Sequence, residues 1–170
     1  MTSNSHATGP PSPRPFELRI AGGSGAGIFI AAQPWIGEID GACVCQERFT
    51  ITMHGDDRTV VLRDRCLTDA DLLGLRDLLK FAMTEDLPHI CVPRFQSSTG
   101  VLEAGVIEST SHTVALEFRG RSYLDDIDED PDSDGIAFDT SRAALWESLT
   151  ALNDRLGLES HIPDDLSELE

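Results

Sequence analysis

Only two stretches of this chain carry apolar residues at helical spacing: Leu72, Leu75, Leu79 and Ala82, then Leu145, Leu149, Leu152 and Leu156. The other apolar segments are short, rich in β-branched and aromatic residues, and joined by turns. Four such strand-like segments precede the first helix with no helix between them. Runs of hairpin-joined strands with only two helices do not make the alternating β-α-β pattern of a parallel sheet. The expectation is an α+β fold, a curved and mainly antiparallel β-sheet with two amphipathic helices packed on one face.

Phe16 to Ile20 alternates apolar and polar residues, as a half-buried strand does. Gly22 to Gly27 makes a hairpin loop, Ile28 to Ala32 a second strand, and Pro34 to Gly41 an irregular segment. Ala42 to Met53 and Arg58 to Arg63 form the next pair, joined by His54-Gly55-Asp56-Asp57. Thr68 is a good N-cap, and Thr68-x-x-Asp71 approximates a capping box with Asp69 also in the first turn. Leu73, Leu78 and Phe81 widen the apolar stripe of this helix, which Asp86-Leu87-Pro88 ends. A strand at His89 to Arg94 and a hairpin of Val101–Glu108 with Thr113–Arg119 follow. Gly135 to Phe138 leads into the second helix, for which Gly157 supplies the stop. Residues 1–15 read as a flexible tail rich in Pro and Ser, 16–157 as a single domain and 158–170 as an acidic tail, without internal repeats.

The chain has 30 acidic and 13 basic residues among 170, a formal net charge of -17. The basic residues are dispersed, so direct binding of nucleic acid through its phosphates is not expected. No segment approaches the roughly 20 apolar residues of a membrane helix. The N-terminus has no apolar run of signal-peptide type. A cytoplasmic protein is the expectation, in which Cys43, Cys45, Cys66 and Cys91 are free thiols behaving as small buried apolar side chains.

Enzymatic motifs fail position by position. Gly23-x-Gly25 has Ile28 where a dinucleotide-binding loop needs its third glycine, and the following segment is strand rather than helix. Ser24 lacks the closing glycine of a nucleophile elbow. His6, His54, His89, His112 and His161 show no metal-ligand spacing and read as surface residues. With no nucleophile–base pattern, a non-catalytic protein is expected.

What remains is charge concentrated in one place. Asp125, Asp126, Asp128, Glu129, Asp130, Asp132 and Asp134 put seven carboxylates in ten positions with no basic residue among them. Such a run suits capture of a basic protein partner, because opposite charge accelerates encounter. Its end also resembles the start of a calcium loop. Asp130, Asp132 and Asp134 stand at ligand positions 1, 3 and 5, Gly135 at the bend and the Ile136 carbonyl at 7. Ser141 stands where the bidentate Glu belongs, so calcium is a possible ligand rather than a required cofactor.

The run Cys43-Val44-Cys45-Gln46-Glu47-Arg48-Phe49-Thr50-Ile51-Thr52, then Thr59-Val60-Val61-Leu62, Asp64-Arg65-Cys66-Leu67-Thr68 and a leucine-rich helix resembles actinobacterial immunity proteins of the WapI type. The order of elements fits over about residues 42–157; the proline tail, the glycine loop and the Asp125–Asp134 run have no counterpart in that pattern. The resemblance implies a small cytoplasmic protein that blocks a cognate toxin, often a nuclease. A rival reading is an anti-defence or DNA-mimic inhibitor, which would spread its acids further and include Asp164, Asp165, Glu168 and Glu170. A calcium-binding module is the third.

Overall fold

A computed structural model of the chain describes residues 15–84, 93–120 and 135–159. Strands β1 (Glu17–Ala21), β2 (Gly27–Ile39), β3 (Ala42–His54) and β4 (Thr59–Arg65) pair antiparallel in chain order. Helix α1 (Asp69–Thr84) follows. Strands β5 (Arg94–Gln96), β6 (Leu102–Ser109), β7 (Thr113–Gly120) and β8 (Gly135–Ser141) again pair in chain order, and α2 (Arg142–Leu156) completes the set. A four-stranded meander followed by a helix thus occurs twice, although the sequence carries no repeat. The α+β class and the antiparallel pairing are as expected. The strands are divided between two open sheets because α1 intervenes between β4 and β5.

The sheets approach each other at the β1 and β8 edges. Thr140 Oγ1 donates to the Ala21 carbonyl at 2.8 Å, and the Gly23 amide donates to the Asp139 carbonyl at 3.3 Å. Alternate residues then point one way: Leu18, Ile20, Ile28, Ile30, Phe49, Ile51 and Met53 from the first sheet, Val114, Leu116, Phe118, Ile136 and Phe138 from the second. They join Leu72, Leu75, Leu79, Leu145, Leu149 and Leu152 in one buried cluster. Helix α1 packs on α2, β5 and β6, while α2 also packs on β1 and β8, so each half covers part of the other. Burying each such side chain contributes about 1.5–3 kcal/mol, enough in sum to oppose chain entropy. Leu78 is buried as expected, but Leu73 and Phe81 are 40% and 41% exposed, so the stripe is narrower than the sequence suggested.

Two polar side chains brace this arrangement. The capping box at α1 is reciprocal: the Asp71 amide donates to Thr68 Oγ1 at 3.1 Å, and the Thr68 amide to Asp71 Oδ2 at 2.8 Å. Asp71 also accepts from the Ser98 amide at 2.6 Å and the Ser98 hydroxyl at 3.0 Å, tying the helix start to the β5–β6 turn. Burial alone would raise its pKa, but these three donors and the Thr68 hydroxyl, at 2.9 Å from Asp71 Oδ2, outweigh it and hold the carboxyl below the ordinary value. At the other end of α1, Arg142 donates to the Met83 carbonyl, to the Thr110 carbonyl at 2.6 Å and to Ser109 Oγ at 3.1 Å. A cation at a helix C-terminus is favourable, and here it also fixes the β6–β7 turn.

The largest departure from expectation is Pro34 to Gly41. It is not irregular: β2 runs through it to Ile39 and turns directly into β3, with Ile39 paired to Ala42. Asp40 and Gly41 have φ of 52° and 79°, the two left-handed positions of a tight Asp-Gly hairpin turn. Pro34 is tolerated because of the edge it occupies. The Ala32 amide donates to Phe16 at 2.8 Å, so position 34, two residues on, would direct an N–H to the same side, past the end of β1. Beyond Ala32 and Phe49, β2 and β3 pair only with each other among the described residues and form a two-stranded arm.

Candidate functional site

Two connections and the start of β8 meet at one end of the molecule. The β1–β2 loop closes through a 2.7 Å bond from the Gly22 amide to the Ala26 carbonyl, with Gly25 at φ 89°. Ser24 Oγ donates to Asp56 Oδ1 at 3.2 Å, which joins this loop to the β3–β4 turn. Arg58 from that turn donates to the Gly135 carbonyl, the first residue of β8. The glycine loop is therefore a hairpin loop, as expected, and its serine is engaged by a carboxylate with no histidine in the contact.

In sequence the acidic run lies between β7 and β8. Asp125, Asp126, Asp128, Glu129, Asp130, Asp132 and Asp134 lie outside the described residues, as do Asp164, Asp165, Glu168 and Glu170. The strand ends on either side are described. Gly120 closes β7, and a Cβ there would lie 2.5 Å from Leu62 Cδ1 and 2.7 Å from Met53 Cε, so this end is seated tightly on the first sheet. Gly135 opens β8 opposite Arg119 and is held by Arg58. Ile136 is 5% exposed and pairs with Phe118, so its main chain belongs to the β7–β8 ladder. Among the described residues no group of three or more His, Cys, Asp or Glu is arranged to hold a metal ion.

Beside these connections, on the face of the first sheet opposite the helices, lies a groove of about 330 Å³. Register builds it. Ala21, Gly27 and His54 are neighbours across three strands, and Arg19, Phe29 and Thr52 form the next row. His54 Nδ1 lies 3.0 Å from Thr59 Oγ1. Sequence alternation places each of these residues off the apolar face, but only the strand register brings them together, so the grouping was not legible in advance.

At the opposite end the arm exposes Ile36 by 73%, the largest value for a large hydrophobic side chain among the described residues. On its other face the Trp35 ring lies over Gly37, where a Cβ would collide with it, and 4.9 Å from the Arg48 guanidinium. Arg48 also donates to Cys66 Sγ at 2.9 Å. Cys66 is an exposed free thiol, contrary to the buried apolar role expected, because it follows β4 at the sheet margin. His54 and His112 are exposed, as surface histidines should be. Among the described residues no helix is long and apolar enough to cross a membrane. Comparison with protein-family models, with curated proteins and with solved structures found no match.

Proposed function

We propose that this chain is a non-catalytic, acidic binding protein of the WapI immunity type. It neutralises a basic partner such as a toxin nuclease through Asp125 to Asp134. The observation that carries the reading is the placement of seven carboxylates in ten positions between two braced strand ends, Gly120 and Gly135. A charge row attached at two fixed points loses less freedom on binding than one attached at a single point. A nuclease active site is cationic because it grips phosphate, and carboxylates are suited to fill it. Charge of this kind mainly speeds association.

The test is kinetic. Association with the basic protein recovered from the native host should slow steeply as salt rises, because the Debye length falls from about 10 Å at 0.1 M to about 3 Å at 1 M. Association that is indifferent to salt would exclude capture by the acidic run.

A further inference from the structure

The groove on the open face of the first sheet is chemically unlike the rest of this chain. Acids outnumber basic residues 30 to 13 overall, yet Arg19 and His54 line the groove and, among the described residues, no carboxylate does. Its floor is Ala21 and Gly27. A Cβ on Gly27 would lie 2.5 Å from the Ile20 carbonyl, so the backbone itself keeps that position bare. Phe29 supplies an apolar wall and Thr52 a hydroxyl. Among the described residues the Arg19 guanidinium has no hydrogen bond or ion pair, while His54 is engaged at Nδ1 and keeps Nε2 available.

We propose that this groove binds a small aromatic carboxylate, with its ring on the Gly27 floor against Phe29 and its carboxylate on Arg19. A guanidinium holds a carboxylate through two parallel bonds and stays charged at any working pH. The Thr52 hydroxyl is a further donor to the same group, as is His54 Nε2 in the tautomer whose Nδ1 accepts from Thr59. The volume stands at the low end of ligand sites, which run from about 300 to 1,000 Å³, and so admits one ring with its acid rather than a nucleotide.

Benzoate titrated into the full-length chain, followed by amide chemical shifts and by calorimetry, tests the assignment. Saturable shifts centred on Gly25, Gly27 and Phe29 are expected, with affinity about tenfold above that of acetate or benzamide, which lack the ring or the charge. Arg19→Gln should weaken benzoate about tenfold and Arg19→Lys by less, with circular dichroism and the thermal midpoint unchanged in both, since Arg19 is exposed. No saturable shift, shifts centred elsewhere, or equal affinity in the folded Arg19→Gln variant would overturn the proposal.

Discussion

The two halves, β1–β4 with α1 and β5–β8 with α2, share one topology and spend their extra residues differently. In the first half β2 and β3 are 13 residues each and run past their neighbours as a hydrogen-bonded arm. In the second the strands are three to eight residues long, and the extra length forms the connection carrying the acidic run between β7 and β8. Excursions that keep their backbone bonds extend a sheet. The part common to both halves is the core. What distinguishes them lies outside it.

If the halves share a core and the arm stands apart from it, truncations should separate sharply. Phe118→Ala, in the buried cluster beside Phe138, should cost about 3–5 kcal/mol in denaturant unfolding. Trp35→Ala should change global stability far less. Equal losses would mean that the arm is part of the cooperative core.

The Asp71 clamp, which ties α1 of the first half to the β5–β6 turn of the second, comes next in size. Asp71→Asn should destabilise by about 1–2 kcal/mol at neutral pH. Its folded pKa is lowered, so the native carboxylate contributes fully above the ordinary value of 3.8 and loses that contribution as pH falls through the folded value. Unfolding curves of parent and variant should therefore differ above pH 4 and converge in stronger acid. A constant gap at all pH would remove the charge from the account.

Gly41→Ala should cost about 1 kcal/mol locally, since it puts a side chain at φ 79°. Faster amide exchange in the arm, with α2 unaffected, is the expected sign. The smallest effect belongs to the partly exposed Arg119–Glu117 pair at 2.7 Å, where Glu117→Gln should cost about 0.5 kcal/mol or less by thermal unfolding.

Elements with strong local signals were legible in the sequence. The leucine stripe of α1 and its Thr68–Asp71 cap, and α2 with Gly157 as its stop, stand where periodicity puts them. The Asp40-Gly41 turn was equally local, yet Pro34 masked it, because the missing N–H disqualifies a central strand but not a free edge. The grouping of Arg19 with His54, and the bond from Ser98 to Asp71, depend on register and long-range packing, which no local pattern encodes. The Asp125–Asp134 run is visible in sequence alone, and only its strand ends gain a structural account here.

The most direct test of the binding role is a paired pull-down from the native host, with the parent chain and a variant carrying Asp126→Asn, Asp128→Asn, Asp130→Asn and Asp132→Asn, read by quantitative mass spectrometry. The account predicts one basic protein retained at near-stoichiometric yield by the parent and lost from the variant while both remain folded. Equal retention by the two chains would contradict it.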